Sequence, residues 1–580
     1  MGLFLLDYGA GNVQSLANSL ERLGHKFEWI SSPDDFDRAT SLIFPGVGAF
    51  PTAVDGLISR GLFEPLKAYI ASGKPYFGIC IGMQVLFQSS AESESSLPGL
   101  GVIPARISSF SNATKSVPHM GWNSTHLIDP SSKSASGVSD GAHYYFVHTF
   151  RAAYEPETNP EGAEWVHSVT QYGQEIFMAS VRKGNVFGCQ FHPEKSGEAG
   201  LRMLDAWLRE PESSRAHAPP TPRIPWPPRE KDGLTKRIIA CMDVRANDQG
   251  DLVVTKGDQY DVREKAPEPT STSTPASTES NTVAAHTGGA VRNLGKPVAL
   301  ASRYFTSGAD ELALLNITSF RHSPLLDQPM IAVVRAAAQA VFVPLTIGGG
   351  IRDTVDPDGT PHTALEVAGA YFRAGADKVS IGSEAVYAVE KMLANGGKGD
   401  GKSGIETISW AYGRQAVVVS IDPRKVYVDP ETYDGPYKGE LILASSARSK
   451  DLSKDASTNP KKAWWYQCTV SGGRESRPLS VVQLAQGVEQ LGAGEILLNS
   501  IDRDGTGAGF DHDLIGLVRK AVTIPVVASS GAGKAEHFVE VFEETGVESA
   551  LAAGIFHREE VGIQEVKEAL RKAGIEVRGL

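Results

Sequence analysis

Short apolar runs of strand length alternate with segments carrying apolar residues at helical spacing, from the first residues to about residue 210. Residues 2–7, 41–44 and 185–192 read as strands, and 12–23 and 57–72 as amphipathic helices. That alternation predicts an α/β domain. Beyond it the texture changes. Pro219-Pro-Thr-Pro-Arg-Ile-Pro-Trp-Pro-Pro228 cannot form a helix and predicts a stiff, extended connector. The chain therefore divides into a first domain, 1–209, a Pro-rich linker, 210–236, and a second domain, 237–580.

The second domain contains an internal repeat. Ile238-Ile-Ala-Cys-Met-Asp243 returns as Val417-Val-Val-Ser-Ile-Asp422, and the segments 308–316, 343–350 and 375–382 return as 492–500, 524–531 and 546–553. Each strand-like segment recurs in the same order about 180 residues later, which predicts a (β/α)₈ TIM barrel built of two half-barrels. Three polar or Gly-rich stretches, 266–287, 395–403 and 445–462, interrupt the pattern and read as insertions disordered at their centres.

A chain of 580 residues is too long for one core, in keeping with the division. The net charge of −12 argues against a nucleic-acid partner. Four widely spaced cysteines show neither a disulfide framework nor metal-ligand spacing. The apolar start, 2–6, lacks a basic flank and ends at Asp7, so it reads as a strand and not a signal peptide. No apolar run approaches the ~18 residues of a membrane helix. A soluble protein of the reducing cytoplasm is expected.

The candidate chemistry of the first domain centres on Gly78-Ile-Cys-Ile-Gly82, between a short apolar run and a helix-like segment at 83–89. Glycines on either side let a strand turn sharply into a helix and expose the middle residue. Cys80 at a helix N-terminus is expected to favour the thiolate. Standing alone, such a cysteine is more often buried and inert. Downstream, His192-Pro-Glu194 supplies a base and an orienting carboxylate, with proline holding both strand-spaced side chains on one side. Pro45-Gly-Val-Gly48 follows a strand and offers backbone N–H groups, with Gly48 and Ile81 as the candidate oxyanion hole. Together, Gly78-Ile-Cys-Ile-Gly-Met-Gln84 and Phe191-His-Pro-Glu194 resemble the class I glutamine amidotransferases. The resemblance implies hydrolysis of glutamine to glutamate and ammonia through a Cys80 thioester, with Gln84 holding the substrate. Pro118-His-Met-Gly-Trp-Asn123 and Tyr145-Phe-Val-His-Thr149 look like the subtype serving histidine biosynthesis. His119, His126, His143 and His148 read as site-lining or structural.

In a barrel, residues at the C-terminal strand ends face the active site. Asp243 and Asp422 occupy equivalent ends of strands 1 and 5, a pair suited to acid–base work on one substrate. Gly350 on strand 3, with Gly382 and Ser383 on strand 4, forms one candidate phosphate cradle. Ser529, Ser530 and Gly531 on strand 7, with Ala553 and Gly554 on strand 8, form another. Each motif alone is as well explained by a tight turn, but the duplication predicts a substrate with a phosphate at each end. Arg237-Ile-Ile-Ala-Cys-Met-Asp243, Lys256-Gly257 and Ile501-Asp-Arg-Asp-Gly-Thr506 resemble the cyclase barrel of the imidazole glycerol phosphate synthases, and the domain order is that of the fused fungal and plant forms. The resemblance implies conversion of the bisphosphate PRFAR (phosphoribulosyl-formimino-AICAR phosphate) with ammonia into imidazole glycerol phosphate and AICAR. It places Lys256 on a mobile loop and Asp502 and Thr506 in the site, and implies no cofactor or metal. With both activities on one chain, a monomer is expected.

Ammonia made at Cys80 would be protonated in bulk water. Arg237, Glu311, Lys378 and Glu495 begin four barrel strands, and the same resemblance implies that they ring and gate an ammonia tunnel. Ordinary solvated charges are the plainer reading. An enzyme making another nitrogen heterocycle, such as pyridoxal phosphate, would rely on Schiff-base lysines where carboxylates stand here. A regulatory scaffold that has lost catalysis would not need the intact Cys, His, Glu and Asp set.

Overall fold

The structure is a computed structural model that describes residues 2–9, 11–93, 97–130, 137–246, 252–255, 296–317, 329–448 and 463–579. Its N-terminal unit is built on an eight-stranded sheet in the spatial order Glu28–Ile30, Leu3–Leu6, Ser41–Phe44, Tyr76–Ile79, Val186–Cys189, Glu175–Lys183, Val166–Tyr172, His126–Leu127. The first five strands run parallel and the remaining joins are antiparallel. Leu3–Leu6, Ser41–Phe44, Tyr76–Ile79 and Val186–Cys189 are buried at every position. Unbroken apolar runs are what a sheet covered on both faces requires.

Two helix expectations change. The 57–72 segment is two helices, Phe50–Ser59 and Phe63–Ala71, divided near Gly61, whose φ of +68° ends the first. After Cys80 the helix spans only Ile81–Gln84, and Phe87–Ser90 is a strand parallel to Ile103–Ser109. Pairing with a neighbouring strand overrides the local helical pattern there. The linker opens with one short helix, Glu212–Ala216, and its Pro-rich stretch 219–228 has neither helix nor strand. It lies along the N-terminal unit, where Tyr154 Oη donates to the Ile224 carbonyl (2.7 Å) and His126 stacks on Trp226.

The second unit is a closed parallel barrel. Strands 1 to 8 are Arg237–Ala246, Glu311–Asn316, Leu345–Gly348, Lys378–Ile381, Val417–Ile421, Glu495–Asn499, Val526–Ser529 and Ser549–Ala552. Strand 1 pairs with strand 8, Arg237 opposite Ser549, which closes it. Side chains alternate along strand 1: Ile239 and Cys241 belong to the small interior cluster, and Ile238, Ala240 and Met242 to the shell beneath the helices.

Of the three insertions, 266–287 lies outside the described residues, as does 449–462. Residues 395–403 are ordered, contrary to expectation. Ser403 and Glu406 form a capping box, Lys391 pairs with Asp400 (2.7 Å), and Gln490 Nε2 donates to the Gly397 carbonyl (2.7 Å). After strand 5 the chain builds an antiparallel sheet from Pro423–Val428, Ile442–Leu443, Ala463–Val470 and Glu475–Ser480, which no pattern in the sequence announced. Among the described residues no helix is long and apolar enough to cross a membrane.

The N-terminal unit sits on the face where the barrel strands begin. Asn12 Nδ2 donates to the Gly375 carbonyl (3.0 Å) and Asp377 (2.9 Å), Lys195 pairs with Asp377 (2.8 Å), and Trp122 Nε1 donates to the Asp310 carbonyl (3.0 Å). Gly375, Asp377 and Asp310 precede strands 4 and 2, so these contacts define the bottom of the barrel.

Candidate active sites

The turn at Cys80 explains its flanking glycines. Cys80 has φ +50° and ψ −103°, a conformation that strains any residue with a Cβ. A Cβ on Gly78 would stand 2.3 Å from the Gly82 carbonyl oxygen, and one on Gly82 2.0 Å from the Phe44 carbonyl oxygen. No larger residue fits either place. The turn is held by Cys80 N–H donating to the Cys189 carbonyl (2.7 Å), while the Cys80 carbonyl accepts from Met83 (3.0 Å) and Gln84 (2.9 Å). A helix of four residues contributes little macrodipole, so the elbow acts mainly by geometry.

His192 and Glu194 meet as expected, by a different backbone route. His192 is extended, but Pro193–Lys195 is a 3₁₀ turn, and it brings Glu194 Oε1 to 2.7 Å from His192 Nδ1. Cys80, His192 and Glu194 are all buried. Nε2 of His192 makes no hydrogen bond within ordinary geometric limits, which leaves it available toward Cys80. Burial, the largest influence on the imidazole, pushes its pKa down. The charges of Glu194 and Cys80 more than offset that and hold it well above the usual histidine range.

Gln190, which the sequence reading passed over, donates from Nε2 to Cys80 Sγ (3.4 Å) and accepts from Gln84 Nε2 (2.9 Å). Gln84 also donates to the Phe150 carbonyl (3.1 Å), so its amide reaches the thiol through Gln190. His148 Nδ1 donates to that same carbonyl (2.8 Å), which makes its Nε2 the acceptor for His119 Nδ1 (3.0 Å). Burial drives His148 down to about 3 and His119 well below its usual range. They are neutral structural groups near physiological pH. His126 and His143 lie instead beside the connector, sharing a cavity with Trp226 and Arg229.

The glycine loop 45–48 leans on the elbow: a Cβ on Gly46 would stand 2.3 Å from Ile81 Cγ2 and one on Gly48 2.6 Å from Tyr8 Oη. Tyr8 Oη donates to the Val47 carbonyl (2.8 Å). Just beyond, Glu92 Oε2 accepts from Phe50 N–H (2.8 Å), and burial raises its carboxyl to about 7.

The barrel mouth is a cavity of about 320 Å³ lined by Asp243, Asp422, Gly350, Gly382, Ser383, Ser529, Ser530 and Ala553 among others. Asp422 Oδ1 accepts from Asn499 Nδ2 (2.9 Å). Burial pushes the Asp422 carboxyl up, Asn499 pulls it down, and Asp504 adds to the rise. Cys241 Sγ lies 4.0 Å from Asp243.

Several expected residues are not among those that line this cavity. Asp502 accepts the backbone N–H of Lys425 (2.9 Å) and Thr506 Oγ1 donates to the Arg503 carbonyl (2.8 Å). Neither lines this cavity, where Asp504 stands instead. The 3₁₀ turn Ile501–Arg503 rotates alternate residues away from the mouth. Gly531 and Gly554 are also off the lining. Gly531, at φ +95°, packs against the Gly509 carbonyl, and Gly554 sits beside Arg558. Lys256 lies outside the described residues.

Beneath the mouth, Arg237, Glu311, Lys378 and Glu495 form a closed, fully buried ring. Arg237 pairs with Glu311 (2.7 Å) and with Glu495, and Lys378 pairs with both acids (2.6 Å each). These are not solvated surface charges. Below the ring, on the side of the N-terminal unit, Met120 Sδ is 3.5 Å from Lys378 Nζ. Tyr145 gives its carbonyl to His192 N–H (2.9 Å), and its phenol feels the charges of Glu311 and Arg237. Tyr145 thus stands between the triad and the ring.

Residues 4–210 match the family described as glutamine amidotransferase class-I, and residues 237–562 the family described as histidine biosynthesis protein. The chain is 50% identical over 578 residues to the imidazole glycerol phosphate synthase hisHF of Emericella nidulans, covering 99% of this chain and 98% of that one. It is 50% identical over 571 residues to the hisHF protein of Schizosaccharomyces pombe, with 98% of each covered. A chloroplastic hisHF protein of Arabidopsis thaliana is 50% identical over 579 residues, 99% of this chain and 89% of that one.

Proposed function

The chain belongs to the imidazole glycerol phosphate synthase hisHF family, and from that premise we propose how its residues divide the work. Cys80 attacks the side-chain amide carbon of glutamine. His192 holds the proton given up by the thiol and delivers it to the departing ammonia, and Glu194 pairs with the imidazole and fixes its orientation. The Ile81 and Gly48 N–H groups face the developing oxyanion. Water then hydrolyses the thioester to glutamate, with His192 as base.

Ammonia passes the Arg237–Glu311–Lys378–Glu495 ring and enters the barrel, where PRFAR is held by its two phosphates. Asp422, whose carboxyl desolvation pushes above its usual range, donates a proton, and Asp243 accepts one. The products are imidazole glycerol phosphate and AICAR. We place the glutaminase in 1–209 and the cyclase in 237–580, in a monomeric, cytoplasmic protein that binds no nucleic acid.

The observation that carries this reading is the buried ring between a Cys–His–Glu constellation below and a two-aspartate cavity above. Cys80→Ala is expected to abolish product formation from glutamine and to leave formation from ammonium salts at the wild-type rate. If ammonium no longer supports cyclisation in that variant, the division of labour is wrong.

A further inference from the structure

The two barrel halves repeat, so a substrate with a phosphate at each end meets two similar glycine cradles and two similar aspartates. The repeat by itself does not distinguish one end from the other. The lining of the mouth does: it carries three arginines, Arg245 on strand 1, Arg352 after strand 3 and Arg474, and the last two lie toward strands 3 and 4. In the register that pairs Gly350 with Gly531, Arg352 stands opposite Gly533, and Arg352 lines the cavity.

A second cation comes from the sheet that follows strand 5. Thr469 Oγ1 donates to the Asp422 carbonyl (2.6 Å), which fixes its hairpin to the end of that strand. The tip turns through three left-handed residues, Ser471 (φ 57°), Gly472 (φ 66°) and Gly473 (φ 81°). Ser471 N–H donates to Ser383 Oγ (2.9 Å), which seats the tip on the strand 4 side of the cradle. Arg474 Nη1 donates back to the Ser471 carbonyl (2.8 Å), and the Arg424 guanidinium holds the Gly473 carbonyl. Gly472 and Arg474 thereby line the same cavity as Gly350 and Ser383. Backbone N–H groups cradle a phosphate but bring no formal charge. A guanidinium brings both charge and a planar fork matched to phosphate oxygens.

We propose that Arg474 and Arg352 clamp the phosphate seated at Gly350 and Ser383, and that this clamp decides which end of the bisphosphate faces strands 3 and 4. The inference rests on the cyclase reading above. Its consequence is directional: the clamp brings the reacting atoms to Asp422 as donor and Asp243 as acceptor, and a reversed substrate would not react.

Steady-state cyclisation of PRFAR with ammonium as nitrogen donor tests the clamp without involving the glutaminase. Loss of one charge-assisted phosphate contact in Arg474→Gln is expected to raise KM about ten- to hundredfold, with kcat changed less than about threefold. Arg474→Lys, which keeps the charge but not the fork, should fall between, and Lys398→Gln, in a separate crevice that Lys398 lines with Asp400 and Ser403, should match wild type. In Arg352→Gln/Arg474→Gln kcat should fall as well, because reversed substrate occupies the site unproductively. Wild-type KM in both single Gln variants, or a kcat defect without a KM change, overturns the clamp. An unchanged kcat in the double variant overturns the orienting role. Failure of the wild-type protein to cyclise PRFAR overturns the cyclase reading beneath both.

Discussion

Gly82 shows how closely the nucleophile's environment is set by one atom. Its missing Cβ would fall 2.0 Å from a backbone oxygen of the adjacent strand, so Gly82→Ala must displace backbone and not a flexible side chain. We expect a loss of about 2–3 kcal/mol in unfolding of the N-terminal unit, read by denaturant melts, and near-complete loss of glutaminase activity. Asp422 makes the opposite trade. Its folded-state pKa is raised, so the fold holds a proton that the unfolded chain has released above its ordinary range. Stability therefore declines as pH rises through that window. Asp422→Asn removes the titration and is expected to stabilise the protein by about 1 kcal/mol at pH 7 while slowing cyclisation about a thousandfold. A destabilised variant, or one that still cyclises at the wild-type rate, would contradict this account of the residue. Cys80 with its glycines and His192 with Glu194 were legible in the sequence as short motifs of fixed spacing, and the paired aspartates because the repeat places them at equivalent strand ends. Gln190 and Asp504 were not, since each is one residue within a motif whose neighbours drew the reading.

At the scale of elements, the parallel strands were readable because burial on both faces makes them unbroken apolar runs. The boundaries were less so. Residues 83–89 have helical character, yet Phe87–Ser90 finds a partner strand at Ile103–Ser109, a contact that local pattern cannot contain. The sheet after strand 5 was hidden for a similar reason: its strands are separated by a polar insertion and pair across it. A 3₁₀ turn follows strand 6 and brings Asp504, not Asp502, to the cavity lining. The helix Phe50–Ser59 carries a testable device at its start. Glu92 caps Phe50 N–H and has its carboxyl raised from 4.5 to about 7. The native state keeps that proton between those values while the unfolded chain loses it, so stability falls as pH rises from about 4.5 to 7. Glu92→Gln should remove about 3 kcal/mol of this pH dependence in thermal melts across that range. A pH profile parallel to wild type would remove Glu92 from the account.

For the whole molecule, the repeat foretold the barrel, and the docking of one unit on the barrel's bottom follows from contacts made at strand starts. The ring is costly to break. Removing one partner strands a buried charge, so Lys378→Ala is expected to lose about 3–5 kcal/mol of barrel stability. It should also let glutamine hydrolysis outrun product formation, and a stoichiometry equal to wild type would argue against a gate. Occupation of the barrel by PRFAR is expected to raise glutamine hydrolysis, since the ring, Tyr145 and His192 adjoin one another. Equal hydrolysis with the barrel empty would make the two sites mere neighbours. The central claim, that nitrogen travels inside the protein, is tested most directly by isotope competition. With amide-labelled glutamine, PRFAR and a large excess of unlabelled ammonium at a pH where most of it is protonated, imidazole glycerol phosphate should carry the label nearly undiluted. Label diluted to the composition of the bulk ammonia pool would contradict channelling.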